Sequence, residues 1–418
     1  MRNKEDILDV IFERFLNNAL IFKDRNVLRH DYIPEKLPHR EDQIQYLGMV
    51  VAPLLKTERC SNIFIYGKTG TGKTAVMKYV LSRLVQKATE FGSPIKVAFV
   101  NCRLAGTEYR VFTNLCDALD ICVPFTGLAV GEVYDRFKKG LEARKASLII
   151  VLDELDELIK AKGDVLLYEL TRVNESLSDS KVSIIGISND LRFKELLEPR
   201  VISSLSEEEI VFRPYDASEI QDILWERAEL GFCDNVLPDG TVGLCAALAA
   251  AEHGDARRAL DLLRVAGEVA ERKNANMITE DHVKEAEKRI EHDRILYALT
   301  NLTTHSKLVL YSVYLLLKAN IHSAITGDIY EVYYELCEKL RLSALTQRRV
   351  SGLVNELDSA GLLNARVISR GRYGRTRKIS LAIPRSPFRE AYADDNHLGH
   401  LTNFTPNCLK LKKARRSP

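Results

Sequence analysis

Gly67-Lys68-Thr69-Gly70-Thr71-Gly72-Lys73-Thr74 fits the pattern G-x-x-x-x-G-K-T, directly after an apolar β-branched run and at the start of a helical one. The glycines let backbone N–H groups wrap phosphates at the positive end of the helix, Lys73 reaches the β- and γ-phosphates, and Thr74 offers its hydroxyl to Mg²⁺. The apolar run 148–152 ends in Asp153-Glu154, the form of a Walker B segment. Asp153 is expected to hold Mg²⁺ through its waters and Glu154 to polarise the attacking water, whereas Asp156 and Glu157 read as helix-cap or surface charges. The next strand delivers Ser188-Asn189 at its C-terminal end, where such sheets present residues to ligands. Asn189 is therefore expected to position water against the γ-phosphate, although an Asn after a strand is by itself a turn residue. Arg257, in His253-Gly254-Asp255-Ala256-Arg257-Arg258 at a helix start, can reach back to a nucleotide bound between domains, with Arg258 as its surface neighbour. In Glu198-Pro199-Arg200-Val201 a rigid turn either presents Arg200 to a neighbouring subunit's ATP or leaves it a surface arginine. Together these residues describe the binding and hydrolysis of ATP to ADP with Mg²⁺.

A second group points to nucleic acid. In the helical run from 346 the apolar Leu345, Val350, Leu353, Val354 and Leu357 face a core, leaving Thr346, Gln347, Arg348 and Arg349 for a major groove. Arg366, Arg370, Arg372, Arg375, Arg377 and Lys378 follow with no acidic residue among them, and Tyr373 sits between glycines at the turn. A basic hairpin tip of this kind suits phosphate or minor-groove contact with double-stranded DNA.

The elements that must position these residues are legible from periodicity. Short β-branched and aromatic runs at 62–66, 97–100, 148–152, 182–187 and 210–212 alternate with helical stretches, the pattern of a parallel sheet covered by helices. After Pro214 the strands stop, and 217–230, 241–252 and 256–272 read as a separate helical domain. A charged helix from 279 to about 299 leads to helices at 307–317, 326–340 and 346–360 and to a β-hairpin over 364–383 turning at 371–374. Three helices and a hairpin follow the winged-helix order. The expected domains are 1–215, 216–298 and 299–383, with 384–418 a loosely ordered tail.

Bulk properties exclude other classes. A chain of 418 residues exceeds one core of ordinary size, and 46% hydrophobic with 28% charged residues is ordinary for a soluble globular protein. No apolar run reaches membrane-spanning length, and MRNKEDILDVIFERF lacks the apolar core of a secretion signal, so a cytoplasmic, nucleoid-associated protein without a membrane partner is expected. Cys60, Cys102, Cys116, Cys122, Cys233, Cys245, Cys337 and Cys408 are scattered and read as reduced thiols rather than zinc ligands.

The assembled motifs resemble the archaeal initiators related to the largest subunit of the eukaryotic origin recognition complex and to the cell-division-cycle helicase loader. The resemblance rests on Asp31-Tyr32-Ile33-Pro34, Leu37-Pro38-His39-Arg40-Glu41, Val123-Pro124-Phe125-Thr126-Gly127-Leu128 and Glu198-Pro199-Arg200-Val201-Ile202-Ser203-Ser204-Leu205. It continues in Gly254-Asp255-Ala256-Arg257-Arg258-Ala259-Leu260-Asp261-Leu262-Leu263, Arg349-Val350-Ser351-Gly352 and Ser369-Arg370-Gly371-Arg372-Tyr373-Gly374. It covers about 24–381 and leaves the last 35 or so residues outside.

The resemblance implies an α/β AAA+ P-loop domain with a parallel sheet, an all-α lid and a C-terminal winged helix. It also implies a helical insertion within about 107–130 that touches DNA through Arg110 and the Thr126-Gly127-Leu128 turn, although Tyr109, Val111, Phe112 and Leu115 look like a plain core-facing helix. Adenine is implied near the segment before His39, and Arg200 matches the family's arginine box. The expected function is an ATP-switched initiator that binds origin DNA and helps recruit the minichromosome maintenance helicase, with other initiator paralogues as further partners and slow turnover. The competing readings are an ATP-regulated winged-helix transcription regulator, a mechanical AAA+ enzyme such as a clamp loader or unfoldase, and a DNA-binding scaffold with a vestigial ATPase.

Overall fold

A computed structural model of the chain describes residues 8, 21–30, 32–124, 126–205, 207–321, 324–369, 375–393, 395, 398–401, 404 and 406–408. The chain forms two compact units, 1–286 and 287–418.

In the first unit β1 (Asn62–Gly67), β2 (Ile95–Asn101), β3 (Ser147–Asp153), β4 (Lys181–Ser188) and β5 (Glu207–Phe212) form a parallel sheet in the order β2-β3-β4-β1-β5. Every residue of β1 and β3 is buried, as continuous apolar runs require when helices cover both faces. Strand alternation sends Phe64, Tyr66, Leu148, Ile150 and Leu152 into one core and Ile63, Ile65, Ile149 and Val151 into the other. The second core is closed by α1 (Glu41–Val51) and α2 (Lys73–Phe91). The first is closed by helices in chain order after β2. These are α3 (Cys102–Ala105), α4 (Glu108–Ala118), α5 (Val130–Arg144), α6 (Leu155–Lys162), α7 (Val165–Arg172) and α8 (Pro199–Leu205). The sequence places strands at 97–100 and 210–212, and pairing with β3 and β1 extends both, since a polar residue at a strand end costs nothing once its backbone is bonded.

The lid follows as α9 (Ala217–Gly231), α10 (Asp239–Ala251) and α11 (Ala256–Arg272). A reciprocal capping box between Asp216 and Glu219 starts α9, and Asp255 caps α11 by accepting the N–H groups of Arg257 and Arg258. Residues 21–28 precede the sheet yet pack on the lid. Phe22 stacks on Phe232 with centroids 5.0 Å apart, and the N–H of Cys233 donates to the Ile21 carbonyl at 3.0 Å. The division at 215 therefore does not hold for this stretch, because its apolar side chains match the lid surface and no local signal in the sequence names the partner.

Helix α12 (Glu280–Thr300) leads into the second unit, built from α13 (Thr304–Lys318), α14 (Thr326–Lys339) and α15 (Gln347–Ser359). β7 (Leu363–Ser369) and β8 (Arg375–Leu381) form the antiparallel hairpin, and the short β6 (Ala324–Ile325) adds to β8, giving the order β6-β8-β7. In the described part of the tail the structure differs from expectation. α16 (Arg385–Ala393) buries Phe388 and Tyr392 against Tyr311 and Tyr314 of α13 in stacked rings, and the Tyr311 hydroxyl donates to the Leu401 carbonyl at 2.8 Å. Proline and polar residues gave that segment a disordered composition, but the two aromatics have a groove to fill.

Candidate nucleotide and DNA sites

The turn after β1 depends on two glycines. Gly70 (φ +76°) leaves no room for a side chain, since a Cβ there would fall 1.8 Å from Asp255 Oδ1. A Cβ on Gly72 (φ +88°) would lie 2.7 Å from the Tyr215 hydroxyl. These close approaches seat the lid on the loop: the N–H of Ala256, at the start of α11, donates to the Gly70 carbonyl at 3.3 Å.

Lys73 opens α2 and is 5% exposed. Its ammonium donates to the carbonyls of Gly67 and Lys68, each at 2.7 Å, and to Asn189 Oδ1 at 2.8 Å. Burial lowers its pKa to about 8, against the opposing pull of the Asp153 carboxylate. Thr74 Oγ1 donates to Asp153 Oδ2 at 3.0 Å, and burial raises the Asp153 carboxyl above its ordinary value, against hydrogen bonds from Thr74 and from the N–H of Glu154. Glu154 has φ +54°, a left-handed conformation uncommon outside glycine, held where the sheet ends and α6 begins. Its Oε2 accepts a hydrogen bond from Asn101 Nδ2 at 3.2 Å.

Thr69, Gly70, Thr71, Gly72, Lys73, Thr74, Asp153, Glu154, Asn189 and Arg257 line one small cavity of about 100 Å³ together with Asn101. Arg258 turns away and pairs with Glu252. A larger cavity of about 270 Å³ adjoins it, sharing Gly70, Gly72, Thr74 and Arg257, with Tyr32, Ile33, Pro34, Ile223 and Leu260 in its walls. A nucleotide fits this pair of spaces. The polar one offers an ammonium, a left-handed glycine loop and a hydroxyl beside a carboxylate, and the other offers apolar walls for a base. The hydroxyl and carboxylate of Thr74 and Asp153 are the hard oxygen donors that Mg²⁺ takes. Arg200 is not among the lining residues. It stands in the first turn of α8, paired with Glu198 at 2.7 Å and lying 5.0 Å over the Tyr168 ring.

Three residues with no role in the sequence reading sit at this site. Asn101 ends β2, whose register pairs it directly with Asp153 on β3. Asp156, read as a cap or surface charge, is 3% exposed and accepts the N–H of Asn189 at 3.1 Å. Arg40 is fully buried. It donates to the carbonyls of Thr71 in the loop and Arg213 before the lid, and its guanidinium lies 3.7 Å over the Tyr215 ring. A strand end, the D-E-L-D run and the His39-Arg40 pair were the available signals, and none says which strand, loop or ring becomes the neighbour.

In the second unit Gln347, Arg348 and Arg377 line one open groove with Ser351, Asn355 and Thr376. Arg377 bonds to Asn355. Arg349 is exposed outside that lining and pairs with Glu356 at 3.1 Å, and the Thr346 hydroxyl caps α15 by accepting the Arg349 N–H. Thr346 is therefore first a helix cap. Arg370, Arg372 and Tyr373 lie outside the described residues, and Arg375 is described only as the start of β8. In the first unit Arg110, Thr126 and Gly127 are exposed, whereas Leu128 is half-buried against the core. Among the described residues no group of three or more His, Cys, Asp and Glu could hold a metal ion, and no helix is long and apolar enough to cross a membrane.

Comparison with known proteins agrees with this architecture. Residues 56–194 match the AAA domain family, 221–288 the Cdc6 AAA+ ATPase-type lid domain, and 297–391 the CDC6 C-terminal winged-helix domain. The ORC1-type DNA replication protein of Thermococcus onnurineus is 50% identical over 94% of this chain and 96% of its own length. That of Pyrococcus abyssi is 51% identical over 92% and 94%. Among solved structures, the Aeropyrum pernix ORC1 protein in complex with DNA is 49% identical, has a TM-score of 0.85, and is matched over 92% of this chain and all of that one. The ORC2 protein of the same organism shares the fold at 21% identity and a TM-score of 0.60. With a nucleotide loop seated under its lid, a C-terminal winged helix, and this identity along nearly its whole length, the chain belongs to the ORC1-type DNA replication proteins, AAA+ replication initiators.

Proposed function

We propose that ATP binding and hydrolysis switch the angle between sheet domain and lid, and so the grip of this initiator on origin DNA and its recruitment of the minichromosome maintenance helicase. The observation that carries the switch is the direct seating of α11 on the phosphate loop, with Ala256 bonded to Gly70 and Arg257 lining the same cavity as Lys73. A phosphate bound there touches both domains at once, so its presence has a different free energy in the open and closed states, as a switch requires. Lys73 and the loop N–H groups hold the phosphates, Asn189 positions water against the γ-phosphate, Glu154 polarises that water, Arg257 reaches the nucleotide from the lid, and adenine occupies the cavity beside Tyr32 and Ile33. Thr74 and Asp153 hold Mg²⁺, which supplies charge neutralisation at the phosphates. Slow turnover suits a switch, which works through long-lived states. Arg200 serves a neighbouring subunit's nucleotide, in assemblies of this chain or with initiator paralogues.

Gln347, Arg348 and Arg377 contact double-stranded DNA, with Arg110 and the 126–128 turn as a second contact. The DNA complex of the Aeropyrum pernix relative supports this reading. A cytoplasmic, nucleoid-associated protein follows.

The test pairs Glu154→Gln with genome-wide binding. The variant should bind ATP with wild-type affinity and hydrolyse it at least about 100-fold more slowly. Sheared host DNA retained by the wild-type protein should come from one or a few A·T-rich intergenic regions, with a different yield in ATP and ADP. Wild-type hydrolysis by Glu154→Gln defeats the role given to Glu154, and retention spread over many promoters favours an ATP-regulated transcription regulator.

A further inference from the structure

Asp156 stands in the first turn of α6, just past the Asp153-Glu154 pair, yet it does not cap that helix: Glu154 holds the cap position, without a side-chain cap bond. Its Oδ1 accepts the Asn189 N–H at 3.1 Å, across 33 residues of chain. Its Oδ2 lies 3.6 Å from the ammonium of Lys160, one turn later on α6, and the same ammonium lies 3.0 Å from Asp190 Oδ2. Helix α6 thus holds the loop leaving β4 at two successive residues. The loop is closed on itself by Ser188, whose hydroxyl both donates to the Asp190 carbonyl and accepts the Asp190 N–H, each at 3.0 Å. At its other end Asn189 is held by its side chain, where Oδ1 accepts from Lys73 at 2.8 Å.

A carboxylate this deeply buried is costly unless it is bonded or paired, and here one oxygen accepts the Asn189 N–H while the other faces the Lys160 ammonium at 3.6 Å. Pinned through its backbone on one side and its amide on the other, Asn189 has little freedom to rotate away from the phosphate cavity.

We propose that Asp156 is a positioning residue for nucleotide hydrolysis, holding the Asn189 backbone so that the Asn189 amide faces the γ-phosphate end of the cavity beside Lys73. This rests on the ATPase reading above.

The experiment uses the full chain and four variants, Asp156→Ala, Asp156→Asn, Asp156→Glu and, as reference, Glu154→Gln. Affinities for fluorescently labelled ATP and ADP are measured beside single-turnover hydrolysis. Asp156→Ala should bind ATP more weakly relative to ADP than the wild-type protein does and hydrolyse about tenfold more slowly or worse, with ADP affinity changed less than about threefold, the scale of a lost hydrogen bond to a charged group. Asp156→Asn keeps an acceptor oxygen at the same reach and should recover most of both. Asp156→Glu keeps the charge but displaces the oxygen, and should be impaired in both. If Asp156→Ala does not fold, the Asn and Glu variants decide alone. A wild-type ATP preference and rate in Asp156→Glu, with Asp156→Asn impaired, would make charge rather than position the cause and overturn the proposal. So would full activity in every Asp156 variant while Glu154→Gln is inactive, an outcome that leaves the ATPase reading intact. A wild-type protein that does not hydrolyse ATP removes the ATPase reading and the proposal with it, whereas wild-type hydrolysis by Glu154→Gln removes only the role given to Glu154.

Discussion

Lys73 is held by two carbonyls and an amide oxygen, and its charge is tolerated because those oxygens replace most of its hydration. Folding nonetheless weakens its hold on a proton, from the ordinary 10.5 to about 8. Between those values the unfolded chain binds more protons than the folded one, so this residue's contribution to stability rises with pH across that window. Lys73→Met should therefore abolish the rise in melting temperature that ATP produces, while shifting the nucleotide-free melting temperature by only a few degrees. It should also flatten the pH dependence of nucleotide-free stability between about 8 and 10.5. Scanning fluorimetry with and without ATP, across that range, reads all three. A variant still stabilised by ATP would mean that the phosphates are held elsewhere.

At the scale of elements, α15 sorts its own polar residues. Thr346 caps the helix, Arg349 is drawn to Glu356 two turns on, and Gln347 and Arg348 share a groove with Arg377 from β8. Arg349 and Glu356, seven residues apart, lie two turns apart on one face of the helix, and that pairing sets Arg349 outside the groove lining. Arg348→Ala and Arg377→Ala should each reduce the slope of log affinity against log salt by about one, the loss of one phosphate contact, whereas Arg349→Ala should leave it within error. Titration of an origin fragment at several salt concentrations checks this. An equal loss for Arg349 would show that its pair with Glu356 opens on DNA.

For the molecule as a whole, the second unit does not end with its hairpin. Phe388 is fully buried and stacks 4.5 Å from Tyr314 and 4.2 Å from Tyr392, so α16 completes the core that α13 begins. Phe388→Ala should destabilise that unit by about 3–5 kcal/mol, the usual cost of emptying an aromatic core site. Denaturant unfolding followed through the second unit should show the lower midpoint, with the ATP hydrolysis rate preserved. A wild-type midpoint would mean that the tail is dispensable.

Much is legible in the sequence alone, because local chemistry carries it. The phosphate loop, the acidic strand end, the alternation of strands and helices and the order of the winged helix each depend on residues near one another in sequence, where spacing translates directly into geometry. Tertiary structure decided which distant groups meet. Asn101 comes beside Glu154 only because β2 lies next to β3, and Asp156 reaches Asn189 only because β4 lies on the other side of β3. Arg40 is buried under Tyr215, and residues 21–28 settle on the lid, for the same reason. Sheet order and packing partner are set by the sum of many long-range contacts, and no single stretch of sequence contains that sum.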